Sequence, residues 1–276
     1  VVIDPTDYAG LMEEIKTNST ISQDTRFKLA VKVFNQTAKY DTAISSYLNL
    51  QSANDNQPVF SEDSSVQISK VQDLRYGENP HQKAALYKEA GATSGIINAK
   101  QWQGKELSFN NILDLESAYQ CCREFQDPSC VIVKHLNPCG TATAEKLSEA
   151  FLRARSGDPV SCFGGIVALN QKVDKQTALL MAETFFEGII APDYDEDALE
   201  VFKGKKNLRI MSLSNFDNRQ GDLDYRRVEG GFLVQDADNE CVDLASCEVV
   251  TDRKPTEQEL KDLNFAWKIV KHVKSN

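Results

Sequence analysis

The stretch VIVKHLNPCG, residues 131–140, joins an apolar run to a group of polar and reactive side chains. Its β-branched beginning, residues 131–133, predicts a buried strand. Lys134 and His135 leave the strand at its carboxyl end, where α/β proteins commonly bind their ligands. The proline and glycine that follow predict a tight turn ahead of the next helix. The stretch therefore predicts a buried strand with functional side chains at its carboxyl end.

Strand and helix patterns alternate on both sides of this stretch. The alternation predicts βαβ units and an α/β fold with a mostly parallel central sheet, in which residues 131–133 form a central strand. A glycine-broken strand near a hairpin is predicted at 226–238, and a capping box that begins at Thr256 opens the last helix. The predicted strands cover 84–87, 131–133, 166–169, 188–192 and 207–213, and the predicted helices between them cover 113–125, 144–155, 173–186 and 196–203.

The first part of the chain has a helical spacing of apolar residues. Phe27, Val31 and Phe34 recur at intervals of three and four, so residues 7–50 are predicted to be helical, with Ser22 as an N-cap. In the later helix at 113–125, the same reasoning places Leu113, Ala118 and Cys121 or Cys122 on the inner face.

A polar segment at residues 51–65 separates these two regions and is the best candidate for a domain boundary. We therefore expect a helical segment over 1–65 and an α/β domain over 66–276. The chain opens without a methionine, on what resembles the end of a strand, so we expect it to be a fragment of a longer protein.

Composition excludes several classes of protein. The 276 residues are 41% apolar and 26% charged, as in ordinary globular proteins, and no apolar run is long enough to cross a membrane. A net charge of −10 argues against nonspecific binding of nucleic acid. Seven cysteines without a C-x-x-C pair, and no secretory signal, predict reduced thiols in a cytoplasmic protein.

The pair Lys134–His135 suits proton-transfer chemistry. A neighbouring ammonium disfavours a charged imidazole and so keeps it able to accept a proton, and the same ammonium can stabilise an oxyanion. The alternative, a surface turn with incidental polar residues, remains open at this point.

A zinc deaminase is a tempting interpretation, because its signature is H-x-E followed by P-C-x-x-C. Pro138 and Cys139 match the second motif, but Ala142 stands where its second cysteine belongs. Asn137 stands where the glutamate of the first motif belongs. A catalytic zinc needs three protein ligands, so we predict that no zinc binds here.

Two further stretches carry candidate binding groups. In LRYGENPHQ, residues 74–82, arginine can grip a phosphate and tyrosine can stack on a planar ring, although a plain polar loop is an alternative. In SGDPVSCFGGIVALN, residues 156–170, the backbone amides of Ser161, Gly164 and Gly165 can surround an anion, although a simple turn is the more common use of such a sequence. No phosphate-loop motif supports binding of a nucleoside triphosphate.

Seven stretches occur along the chain in the order LRYGENPHQ, GKELSFNNILD, VIVKHLNPCG, DPVSCFGGIVALN, EGIIAPDYDEDALE, RRVEGGFLVQD and FAWKIVKHVKSN. Taken together they strongly resemble one family, the bifunctional enzymes that join AICAR formyltransferase to IMP cyclohydrolase, in their bacterial form. The resemblance covers essentially the whole chain, and it implies a layered fold similar to that of cytidine deaminases. Residues 1–65 then correspond to the helical tail of the cyclohydrolase domain with its linker, and residues 66–276 to the first half of the formyltransferase domain.

The resemblance also implies roles for individual residues. His135 matches the catalytic histidine, and Lys134 matches its basic neighbour. A carboxylate that some members carry near the strand at 207–213 is missing here, which leaves substrate contacts from that strand in doubt. The remaining matches are Arg75 and Tyr76, which hold the aminoimidazole ribotide, Asn110 and Gly188 in the substrate site, and Asn276 in the formyl-transfer site.

The activity implied by the resemblance is transfer of a formyl group from 10-formyltetrahydrofolate to AICAR, which gives FAICAR. The cyclohydrolase domain of the longer protein then closes FAICAR to IMP. A cytoplasmic homodimer is implied for the full-length protein, with no zinc, nucleic acid or membrane as a partner. We expect the 276-residue chain to be inactive alone. The alternative from another class is a non-catalytic ligand-binding or assembly module.

Overall fold

The computed structural model describes residues 1–52, 60, 62–216, 223–240 and 242–274. It divides into two compact units, Val1–Ser69 and Lys70–Asn276. The division falls four residues after the boundary that the sequence suggested at 65. The assignment of each unit to a parent domain stays a prediction.

The first unit is helical, as predicted. A 3₁₀ turn at Pro5–Asp7 leads into α1 (Tyr8–Asn18), and α2 (Gln23–Ser52) follows after a break. Ser22 caps α2 as expected, since its hydroxyl accepts a hydrogen bond from the amide of Thr25 at 3.2 Å. Among the described residues of this unit only Leu11 is buried, so the unit has almost no core of its own.

The second unit is built on a six-stranded mixed sheet. Its strand order is β3-β8-β7-β6-β4-β5, with parallel pairing between β6 and β7 and between β7 and β8. The parallel arrangement expected from the sequence therefore holds at the centre, whereas β3 and β4 run in the opposite direction. The strands of this sheet are β3 (Lys100–Gln103), β4 (Ser129–Lys134), β5 (Asn137–Thr143), β6 (Ile166–Leu169), β7 (Gly188–Ala191) and β8 (Arg209–Ser212); β1 (Ile68–Leu74) pairs with β2 (Ala84–Glu89), and β9 (Leu223–Val228) pairs with β10 (Gly231–Asp236).

Helices cover both faces of the sheet. Successive residues of a strand point to opposite faces, and β4 shows this directly. Cys130 and Ile132 belong to the core under α4, α5 and α6, whereas Val131 and Val133 belong to the core under α3. All four are fully buried, which confirms the predicted α/β fold and the interior position of this strand. The helices are α3 (Phe109–Cys122), α4 (Leu147–Gly157), α5 (Lys175–Ala182), α6 (Glu196–Lys203) and α7 (Glu257–Val270).

The predicted turn after β4 is wrong. Pro138 and Gly140 lie inside strand β5, which forms a hairpin with β4, and the helix expected from residue 144 begins at Leu147. Proline is tolerated because β5 is an edge strand. Glycine is required by close packing, since a Cβ at position 140 would lie 2.0 Å from the carbonyl oxygen of Ala154 in α4.

Helix α3 begins four residues earlier than predicted. Ser108 and Asn111 form a capping box there, with the side chain of each bonded to the backbone amide of the other. Ala118 and the two following cysteines are buried as expected, but Leu113 is 38% exposed and Leu115 takes the inner position instead. The earlier start also brings Asn110 onto the helix.

Candidate functional site

One row of paired residues crosses the sheet beside the candidate histidine. Val133 pairs with Ile166, Ile166 with Gly188, and Gly188 with Arg209. Because β4 runs against β6, its carboxyl end meets the amino ends of β6, β7 and β8. Neighbouring strands lie about 4.8 Å apart, so Gly188 is roughly 10 Å from Val133 along the row. Lys134, His135 and Gly188 thus share one edge of the sheet.

His135 and Leu136 are the two turn residues of the β4–β5 hairpin. Both adopt left-handed backbone conformations, with φ of 53° and 65°. A two-residue hairpin turn with two positive φ values is of type I′, which normally uses Asn or Gly. His135 is exposed at the tip, and no residue that the structure describes makes a hydrogen bond to its imidazole. The ring is therefore available to a ligand.

Side chains from α3 and β5 hold this turn. The amide of Leu136 donates to the Asp114 carboxylate at 2.8 Å, and the hydroxyl of Ser117 donates to the Leu136 carbonyl at 2.8 Å. The amide group of Asn137 donates to the His135 carbonyl at 3.3 Å. None of these supporting residues was predicted from the sequence. The i, i+3 spacing of Asp114 and Ser117 on one helix face is the signal that points to them.

The ammonium of Lys134 is bound to the loop that precedes β6. It donates to the Phe163 carbonyl at 2.9 Å. The pKa of Asp158 in the same loop is lowered, chiefly by the amide and hydroxyl of Ser161 and also by the charge of Lys134. Lys134 therefore places a positive charge between the histidine turn and this loop.

The loop itself does not offer its amides to an anion. The amide of Ser161 donates to the Asp158 carboxylate at 2.8 Å, that of Gly164 to the Phe185 carbonyl at 2.8 Å, and that of Gly165 to the Cys162 carbonyl at 3.0 Å. All three donors are occupied, so the anion-cradle interpretation is wrong and the simple turn is correct.

Arg75 and Tyr76 form a compact pair in the loop after β1. The guanidinium lies 4.8 Å from the centre of the tyrosine ring and donates to its hydroxyl at 3.2 Å. The side-chain amide of Asn110, in the first turn of α3, donates to the Glu78 carbonyl in the same loop at 3.4 Å. The beginning of α3 thus contacts the arginine–tyrosine loop, while the same helix holds the histidine turn through Asp114.

A charged pair at the edge of the sheet was missed in the sequence. The Glu187 carboxylate lies 2.6 Å from the guanidinium of Arg209, whose side chain is only 12% exposed. Glu187 directly precedes β7 and Arg209 opens β8, so strand register brings them together. The sequence shows a charge before each strand but not the register that pairs them.

Asn276, the remaining predicted site residue, lies outside the described residues. A cavity of about 640 Å³ lies at the opposite edge of the sheet, lined by Asn170, Lys172 and Ser214 among others, and an apolar cavity of about 130 Å³ lies near Leu86 and Leu115. Neither cavity is lined by the predicted site residues, whose common concave site stays a prediction.

The described residues also bear on metal binding and on membrane spanning. No group of three or more His, Cys, Asp or Glu side chains in this part of the chain is arranged to hold a metal ion. No described helix has the length and apolar character needed to span a membrane.

One protein family matches the chain along its whole length. The family model described as AICARFT/IMPCHase bienzyme matches residues 1–276, and the chain belongs to this family. The resemblance inferred from seven short stretches is thereby confirmed over the whole chain.

Individual relatives agree with this assignment. Proteins named bifunctional purine biosynthesis protein PurH are 48% identical in Acetivibrio thermocellus, 48% in Caldicellulosiruptor saccharolyticus and 49% in a Thermoanaerobacter species. Each match covers all of this chain but only 53–54% of the relative. The chain therefore spans about half the length of the curated relatives it matches.

Proposed function

We propose that the chain supplies the catalytic histidine for transfer of a formyl group from 10-formyltetrahydrofolate to the 5-amino group of AICAR. Membership of the AICARFT/IMPCHase family supports the reaction. The observation that carries the role of this chain is the exposed imidazole of His135 at a hairpin tip, in the residue that follows Lys134. The alternative, a non-catalytic ligand-binding or assembly module, does not require a free base at this position.

The chemistry requires a base because the amine of AICAR is conjugated with its ring and is a weak nucleophile. The amine nitrogen attacks the formyl carbon, a C–N bond forms, and the carbonyl oxygen becomes an oxyanion. His135 accepts the proton that the amine loses, and Lys134 stabilises the oxyanion. Collapse of the tetrahedral intermediate breaks the bond to N10 of the folate, and the proton passes from His135 to that leaving nitrogen.

The remaining predicted residues bind the substrate in this proposal. Arg75 supplies a guanidinium that suits a phosphate, and Tyr76 supplies a ring that suits stacking on a planar base. The bond from Asn110 to their loop supports a common role for the three. Gly188 is buried against the Ile166 side chain, and it is retained as a substrate-site residue on the family resemblance alone, as Asn276 is for formyl transfer.

In this proposal, the rest of a longer protein supplies the parts of the two active sites that this chain lacks. The relatives are about twice as long as this chain, which supports a formyltransferase site completed by further residues and a cyclohydrolase site outside residues 1–276. We place the complete enzyme in the cytoplasm as a homodimer. An incomplete site is costly, since misplacement by about 1 Å can reduce a rate on the order of 100-fold.

The first test is a formyl-transfer assay with AICAR and 10-formyltetrahydrofolate. The 276-residue chain is measured beside the full-length relative from Acetivibrio thermocellus, and we expect no transfer by the chain alone. A rate within about tenfold of that of the relative would show that residues 1–276 contain the whole site and would overturn this part of the proposal.

The second test concerns the histidine and needs an active protein. A chimera joins residues 1–276 to the parts of the Acetivibrio thermocellus relative that lie outside the match. His135→Ala is expected to abolish transfer while AICAR still binds, whereas Glu200→Gln, which removes an exposed ion pair with Lys203 on α6, serves as the control. An unchanged rate in His135→Ala would favour the non-catalytic module.

A further inference from the structure

The hairpin turn that carries His135 is unfavourable by itself. A left-handed conformation is unfavourable for a residue other than glycine, and here two consecutive residues adopt it. Neither His135 nor Leu136 is a residue that a type I′ turn selects. The conformation therefore has to be imposed by groups outside the turn.

Besides Asn137 of β5, two of those groups come from one face of α3. The carboxylate of Asp114 accepts the hydrogen bond of the Leu136 amide, and the hydroxyl of Ser117 donates to the Leu136 carbonyl, both at 2.8 Å. Hydrogen bonds to a charged group are stronger than those between neutral groups. The peptide groups on both sides of the Leu136 Cα are thus fixed to one helix, which sets the direction in which His135 leaves the sheet.

We propose that Asp114 and Ser117 are positioning residues that hold the left-handed turn and thereby aim the imidazole of His135. The hydrogen bonds of both side chains to the turn go to the backbone of Leu136, so each acts through that backbone. As a role in catalysis, the inference rests on the proposed function. As a statement about the turn, it is tested without any measurement of formyl transfer.

The test uses NMR spectroscopy of the imidazole groups in the 276-residue chain. The chain contains three histidines, so three imidazole signals are expected, and the signal that His135→Ala removes is that of His135. In Asp114→Ala we expect this signal to move and broaden, while the signals of His81 and His272 stay in place. In Asp114→Asn, which keeps an acceptor oxygen, the signal should stay near its original position.

A second substitution gives the test a rescue. Leu136→Gly removes the strain of one left-handed residue, because glycine adopts positive φ without cost. Adding it to Asp114→Ala should return the His135 signal toward its original position. A residue that merely supported the fold would not be rescued by a glycine in the turn.

The hydrogen-exchange rate of the Leu136 amide, measured on the same samples, gives a second and quantitative readout. Loss of its charged acceptor in Asp114→Ala should speed its hydrogen exchange by roughly tenfold or more. Glu116→Ala is the matched control, since this carboxylate lies on the same helix and bonds to Gln120 instead. That variant should change neither the exchange rate nor the His135 signal.

The outcomes separate the two proposals. If Asp114→Ala affects the His135 signal no more than Glu116→Ala does, the positioning role is overturned. If Asp114→Ala does not fold, Ser117→Ala decides: a displaced His135 signal supports the role and an unmoved one overturns it. Failure of the chimera to lose activity in His135→Ala would overturn the proposed function and leave the NMR result standing.

Discussion

The Glu187 carboxylate and the Arg209 guanidinium form an ion pair at 2.6 Å, at the amino ends of two adjacent parallel strands. The two partners differ in exposure: 12% of the arginine side chain and 40% of the glutamate side chain reach solvent. Arg209 also donates to the Glu187 and Glu106 carbonyls, at 3.3 and 3.4 Å. Substitution of the glutamate and substitution of the arginine should therefore lower the free energy of unfolding by different amounts.

We predict that Glu187→Gln lowers the free energy of unfolding by about 2 kcal/mol and Arg209→Met by about 1 kcal/mol, because only the first leaves a buried charge without its partner. The measurement is urea denaturation followed by fluorescence of Trp102, which lies on β3 beside β8, in a Trp267→Phe background. Glu200→Gln, which removes an exposed pair with Lys203, is the control and should cost less than about 0.5 kcal/mol. A larger loss for Arg209→Met than for Glu187→Gln would contradict the argument.

The contact between β5 and α4 leaves no room for a side chain at Gly140. Gly140→Ala is expected to lower the free energy of unfolding by roughly 3 kcal/mol, since the new Cβ meets backbone that cannot rotate away. Gly157→Ala is the matched control on the facing helix, because its Cβ would meet its nearest neighbours at an ordinary 3.7 Å. Urea denaturation measures both, and similar losses in the two variants would refute the packing argument.

The described cysteines differ in their reactivity toward alkylation. Burial raises the pKa of Cys121 to about 12 and that of the half-buried Cys139 to about 11. The thiolate is the reactive form, so at pH 8 roughly one Cys139 in a thousand is reactive. Cys247 is exposed, and we predict that iodoacetamide labels it first.

Mass spectrometry of labelled peptides checks this order, in a Cys241→Ser background because that cysteine lies outside the described residues. Unfolding in urea should make all the remaining cysteines react at similar rates. Rapid labelling of Cys139 in the folded chain at pH 8 would show that its surroundings differ from those described.

The first turn of α7 should weaken in acid. The pKa of Glu259 is lowered to about 2, first by the guanidinium of Arg253 and then by the amide and hydroxyl of Thr256. A lowered pKa means that the carboxylate stabilises the folded state above its ordinary value of 4.5, and that this contribution is lost as the pH falls from 4.5 through about 2.

The measurement is the protection factor of the Glu259 amide, which donates to the Thr256 hydroxyl at 3.2 Å. We expect protection to fall between pH 4.5 and 2 in the native sequence and to stay low and flat in Glu259→Gln. Glu257→Gln, in the same turn, should keep the native profile. An equal pH dependence in Glu259→Gln would assign the change to another group.

The bounds of a helix or strand were predicted well where the sequence pattern that defines it lies within the element itself. Strand β6 and helix α6 begin and end at the predicted residues, and the capping box at Thr256 is present. In each case the apolar spacing or the cap is complete within the element. Pairing between strands has no such local signal, and for this reason the contact of Glu187 with Arg209 was not foreseen.

The hairpin after β4 shows where local reasoning fails. Pro138 and Gly140 are typical of turns, and His135–Leu136 lacks the Asn or Gly that marks a type I′ turn. The structure reverses both assignments, because Asp114 and Ser117 bond to the turn from α3 and the close approach of α4 selects the glycine. The candidate histidine was identified from its place at the end of a predicted strand and from the family resemblance, but its support depends on contacts about 20 residues away in sequence.

Helix α3 contacts the loop at Glu78 through Asn110 and the histidine turn through Asp114 and Ser117. An α-helix turns by about 100° and rises 1.5 Å with each residue. One residue inserted or deleted between Asn110 and Asp114 would therefore rotate one set of contacts away from its partner while the other stayed in place. Length variation among homologous sequences should accordingly be rejected within this stretch of eight residues.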